Sequence, residues 1–117
     1  MFKSEELLGK TKYGSKKIEF FGIKFDSKKE GLRFLELKNF EKRGLISELK
    51  TQVVYELLPK QEKLRGIKYI ADFVYRNDKN ETIVEDVKGY KKGCAYNIYT
   101  IKKKLMKYIH NIDILEI

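Results

Sequence analysis

Two stretches of helical periodicity, set among runs of β-branched and aromatic residues with turn residues between them, predict an α/β sandwich on a mixed sheet. The order read along the chain is hairpin, helix, three strands, helix, strand. At 117 residues, 42% of them hydrophobic, the chain fits a single domain, 1–117, with enough apolar material for a core. No internal repeat, low-complexity tract or linker breaks it up.

Residues 1–15 are polar and expected to be loose. Lys16 to Phe25 reads as a short hairpin, with Ile18, Phe20, Ile23 and Phe25 around a turn at Phe21-Gly22. Ser27-Lys28-Lys29-Glu30 fits a capping box, Leu32, Leu35 and Phe40 recur at helical spacing, and Gly44 is the expected stop. Gln52 to Leu58 reads as a strand ended by Pro59, and Ile67 to Tyr75 as a second. The polar cluster Asn77-Asp78-Lys79-Asn80 makes a turn, and Thr82 to Lys88 returns as a third strand. Gly89 to Gly93 is a lysine-bearing loop. A helix over Asn97 to Tyr108 should point Ile98, Ile101, Leu105 and Ile109 inward, and Ile112 to Ile117 forms the last strand. Tyr69, Tyr75, Tyr99 and Tyr108 are expected in the core, whereas Tyr90 and Tyr96 belong to the lysine-bearing loop.

No apolar run approaches the ~18 residues of a membrane span, and Glu5 and Glu6 argue against a signal peptide. The lone Cys94 excludes an internal disulfide and a cysteine-pair zinc site, and the lone His110 excludes chemistry that needs two histidines. Lys+Arg is 26 against 17 Asp+Glu, a net +9. Much of it is concentrated. From Val87 to Ile112 there is no acid, while Lys88, Lys91, Lys92, Lys102, Lys103, Lys104 and Lys107 supply seven positive charges. Such a segment is either a solvated face or a surface that tracks phosphates. A small, basic, cytosolic domain with a polyanionic partner is the expectation.

Glu85-Asp86-Val87-Lys88 is the most informative stretch. On a strand Asp86 and Lys88 share a face, and Glu85 points the other way. A carboxylate to hold a hard divalent ion and a cation near an attacking water are what phosphodiester hydrolysis requires. Asp72 interrupts the apolar run Tyr69 to Tyr75, and a buried acid needs a partner. That partner is either a neighbouring lysine or a metal shared with Asp86. Two carboxylates suffice for magnesium, which keeps waters and takes substrate oxygens. Sharing requires an odd turn count or a bulge in the hairpin, because an even turn sets Asp72 opposite Glu85.

Asp72 followed by Asp86-Val87-Lys88 on the next strand resembles the PD-(D/E)XK nuclease superfamily, whose restriction-endonuclease-like core is αβββαβ. Phe25-Asp26-Ser27-Lys28-Lys29-Glu30, Tyr69 to Tyr75, Glu85 to Gly89 and Ile101-Lys102-Lys103-Lys104-Leu105 are similar to one phage and prophage branch. Its members are often left as domains of unknown function, with relatives described as Holliday-junction-resolvase-like endonucleases. The resemblance runs from about residue 12 to 117, with Ala71 where the superfamily name has proline. It implies Asp72, Asp86 and Glu30 as ligands of Mg²⁺, with Mn²⁺ able to substitute, and Lys88 and Lys102 as catalytic lysines. It also implies cleavage of branched DNA by a homodimer, in a bacterial or phage-infected host cytoplasm. Lys91, Lys92, Lys103, Lys104 and Tyr90 are the expected nucleic-acid contacts. From the residues alone, Glu30 is equally a helix-capping acid and Lys102 a lysine snorkelling from the core edge. Two other readings stay open: a basic nucleic-acid-binding module without catalysis, and a small RNase.

Overall fold

The computed structural model describes residues 17–89 and 91–117. The expected loose segment 1–15 and Tyr90 lie outside the described residues. Strands β1 (Ile18–Phe20) and β2 (Ile23–Phe25) form the expected antiparallel hairpin. Phe21 and Gly22 both have positive φ, 54° and 77°, which suits the twist of a two-residue turn. Helix α1 (Lys28–Lys42) starts at Ser27, whose side chain accepts from the Glu30 amide at 3.1 Å, and Gly44 follows its end at φ 79°. The hairpin lies directly on this helix. A Cβ on Gly31 would stand 2.7 Å from Ile18 Cγ2, so only glycine permits the approach.

Strands β3 (Ser47–Leu58), β4 (Ile67–Arg76), β5 (Thr82–Asp86) and β6 (Leu115–Glu116) form one sheet in that order. The first three are antiparallel, while β6 returns parallel to β5 after helix α2 (Gly93–His110). This is the predicted element order and mixed sheet. Compared with expectation, β3 begins five residues earlier, β5 stops at Asp86, and β6 is reduced to two residues.

The core has two parts. Phe25, Phe34, Leu37, Phe73 and Tyr75 join the hairpin and α1 to one face of the sheet. Leu57, Tyr69, Ala71, Val84, Tyr99, Met106 and Ile114 join α2 to the other. The buried face of α1 carries Glu30, Gly31, Phe34 and Leu37, whereas Leu32 is exposed. Helix α2 is also rotated from the expectation. Tyr99 and Met106 are buried, but Ile98 and Ile101 are 55% and 58% exposed and Ile109 also faces out. The helix carries apolar residues on more than one face, so periodicity could not choose between them. Tyr108, expected in the core, is 88% exposed. Tyr96 belongs to α2 rather than to the loop, and packs beside Tyr99.

Tyr69, Ala71, Phe73 and Tyr75 alternate along β4, yet the first two face α2 and the last two face α1. An undisturbed strand would keep all four on one side. The inversion falls at Asp72 and its neighbour Gln52. The β3–β4 register passes from Thr51↔Phe73 to Val53↔Ala71 without pairing them, and Gln52 has φ 53°.

Candidate active site at the end of β5

The hairpin between β4 and β5 sets the site. Arg76 pairs with Thr82 and Phe73 with Glu85, and Asn77 N–H donates to Glu81 O at 3.0 Å. The tip is therefore the three residues Asp78-Lys79-Asn80, with Asn80 at φ 63°. That odd count places Glu85 opposite Phe73, and the same register carried one step on brings Asp86 opposite Asp72. The expected geometry is present.

Glu85 and Asp86 separate to opposite faces. Glu85 is fully buried, accepts from Arg33 Nε at 2.8 Å and Nη2 at 2.7 Å, and also accepts from the Tyr75 hydroxyl. It is a neutralised core acid. Asp86 accepts from the Tyr69 hydroxyl at 2.7 Å through Oδ2, and its Oδ1 lies 3.2 Å from the Lys88 ammonium. Lys88 in turn stands over the Tyr99 ring, 3.4 Å from its centroid. The Tyr99 hydroxyl donates to Glu116 at 2.9 Å on β6. Burial first, then the bond to Asp86, pushes the Tyr69 hydroxyl far above its ordinary pKa.

Asp72 accepts the Val87 N–H at 2.8 Å, so its side chain takes over where the ladder ends. Burial pushes its carboxyl well above the usual range, and the charge and hydrogen bond of Asp86 push it further, against the opposing effect of Val87 N–H and Lys88. Glu30 is 6% exposed. Its backbone takes the cap from Ser27, while its carboxylate turns toward the sheet and accepts from Gln52 Nε2 at 3.2 Å. Burial, followed by the charges of Asp72, Asp26 and Asp86, raises it to about 7. Three acids thus feel one another at the point where the sheet inverts. Among the described residues, no three His, Cys, Asp or Glu side chains stand close enough to hold a metal ion by themselves. The donor set that fits a hard divalent ion is the facing pair Asp72 and Asp86, which leaves coordination places for water and phosphate oxygens.

A groove of about 290 Å³ opens beside Asp86 and Lys88, walled by Tyr69, Tyr99, Ile98 and Lys102. Lys102 is therefore on the groove rather than in the core. The remaining lysines divide. Lys103 and Lys91 reach Glu116 at 2.8 and 3.4 Å, and Lys107 reaches Asp113 at 2.9 Å. Lys92, at the start of α2, and Lys104 are exposed and make no salt bridge among the described residues.

The family model described as a protein of unknown function (DUF1064) matches residues 10–114. The chain belongs to the DUF1064 family. No curated protein and no solved structure matches it. Glu30, Asp72, Asp86, Lys88 and Lys102 lie inside the matched span, and Glu116 lies just beyond it. Sequence reading missed Arg33, Gln52 and Glu116, and it took Tyr69 and Tyr99 only as core. A signal existed for the tyrosines: a buried hydroxyl needs an acceptor, and acids at the ends of β5 and β6 supply one.

Proposed function

We propose that this protein is a divalent-metal-dependent nuclease that hydrolyses phosphodiester bonds in DNA, with branched DNA as the favoured substrate. The observation that carries this reading is the convergence of Asp72, Asp86 and Lys88 at one end of β5, where Asp86 and Lys88 line a groove. Asp72 and Asp86 would hold Mg²⁺ or Mn²⁺, with Glu30 beside them. When bound, such an ion lowers the pKa of a coordinated water and offsets charge on the phosphate. Burial first, and the neighbouring acids second, raise the carboxyls of Glu30 and Asp72, and a cation held there would offset both costs.

The chain's own groups do the positioning. Tyr69 fixes Asp86 through Oδ2 and Lys88 approaches Oδ1, so the carboxylate is clamped in one orientation. The Lys88 ammonium, packed on the Tyr99 ring, would bind a phosphate oxygen or the attacking water. Lys102 offers a second positive charge along the groove. Cutting both strands of a junction takes two such sites, which makes a homodimer the expected working form.

The test is incubation with linear, nicked and four-way DNA and with RNA, in Mg²⁺, Mn²⁺ or EDTA. Metal-dependent cleavage of DNA, strongest on the four-way substrate, is expected. Cleavage of RNA alone would replace this reading with an RNase. Binding without cleavage under every condition would select a non-catalytic nucleic-acid module.

A further inference from the structure

Next to the groove at Asp86 and Lys88 lies a second hollow of different chemistry. Ile67 and Lys68 from the start of β4, and Ile98, Ile101, Lys102 and Leu105 from α2, line about 380 Å³. That is within the size range that small ligands fill. The two hollows adjoin, since Lys68, Ile98 and Lys102 line both. Ile98 and Ile101 are exposed, an arrangement that leaves apolar area in water without benefit to the fold. Among the described residues no acid lines the apolar hollow, and two lysines flank it.

An occupant must therefore present an apolar body here and an anionic group along the lysines toward Asp86. A second copy of this chain does not meet that demand. Twofold pairing through this face would bring Lys68 and Lys102 against their own images in a chain of net +9. Continuous duplex DNA does not meet it either, since its base faces are stacked and hidden. An unpaired nucleotide does: the faces of its base are apolar, exposed isoleucines can lie against them, and its phosphates follow the lysines.

We infer that the Ile67–Ile98–Ile101 hollow seats the base of an unpaired nucleotide next to the phosphate held at Asp86 and Lys88. The protein then selects nucleic acid with an unpaired position over continuous duplex. This rests on the nucleic-acid reading above.

Anisotropy titrations of the wild-type protein in EDTA test it without cleavage. The probes are a single strand, a blunt duplex, and a duplex carrying one unpaired 2-aminopurine. The unpaired probes should bind more tightly, and 2-aminopurine emission should change on binding. Ile67→Ser combined with Ile101→Ser, two residues that line the apolar hollow but not the groove at Asp86, should, with the melting temperature checked as unchanged, weaken binding to the unpaired probes about tenfold and leave duplex binding as it was. Equal loss on both kinds of probe, or no loss on either, overturns the proposal. So does a wild-type dimer that the double variant splits into monomers in sedimentation. The nuclease reading can fail separately. Base seating without cleavage in Mg²⁺ or Mn²⁺ keeps the hollow and removes catalysis, whereas metal-dependent cleavage with normal binding by the double variant does the reverse. Absence of binding to every probe overturns both.

Discussion

Glu85 and Asp86 are neighbours on β5, both buried, and their surroundings differ in every respect that decides a carboxylate's role. Glu85 meets a guanidinium through two bonds and a tyrosine hydroxyl, on the face toward α1. Its charge is matched and it is shut off from solvent. Asp86 meets one ammonium and one hydroxyl, faces a second acid across the hairpin, and lines an open groove. Burial by itself therefore does not distinguish the two acids. Under the proposed function, the surplus of like charge beside an opening is what sets Asp86 apart, because folding alone gains nothing from that arrangement.

The largest effect expected from this comparison is on Asp86. Asp86→Asn keeps the shape and removes the charge, so cleavage should fall at least about a thousandfold while the fold and DNA binding persist. Cleavage assays beside a DNA titration check it, and wild-type rates in the variant would erase the distinction between the two acids. Arg33→Met should do the opposite. It strands the Glu85 charge in the core and should cost about 3–5 kcal/mol in urea unfolding, since breaking one side of a buried pair leaves an uncompensated ion. A negligible loss would show that Glu85 has no need of its partner.

Glu30 sits between these two cases. Between its ordinary value of 4.5 and about 7, the folded chain holds a proton at Glu30 that the unfolded chain has released. Its contribution to stability should therefore decline as pH rises through that window, by about 1–3 kcal/mol. Comparing unfolding of Glu30→Gln and wild type at pH 4.5 and 7.5 isolates this term, and Mg²⁺ should shrink the decline. Parallel pH curves for the two proteins would place the Glu30 carboxylate outside the acid cluster.

The smallest effect concerns the lysines. Lys92→Ala with Lys104→Ala should flatten the salt dependence of duplex binding by roughly 0.9 per lost contact. Lys103→Ala should do less, because that ammonium already meets Glu116. An unchanged slope in the double variant would leave these lysines as solvation only.

The sequence by itself determined the order of elements, the Phe21-Gly22 turn, the Ser27 cap and the Gly44 stop. These are local events in which backbone preference and a few neighbouring residues suffice. It also suggested Asp86 and Lys88 on one side, from strand periodicity, and although β5 ends at Asp86 the Lys88 ammonium does reach the Asp86 carboxylate. Tertiary structure decided the rest. Which face of α2 turns inward depended on where Tyr99 could find Glu116 and where Met106 could fill space, and neither is encoded in periodicity. Whether the Glu30 carboxylate capped its helix or faced the sheet depended on Gln52, 22 residues away in sequence. The division between Glu85 and Asp86 needed Arg33 of α1 on one face and Tyr69 on the other. The inversion at Asp72 made that second contact available, by turning Tyr69 and Phe73 to opposite sides of one strand. A side chain's charge is written in the sequence, but the groups that satisfy it or leave it in surplus are brought there only by packing of distant segments.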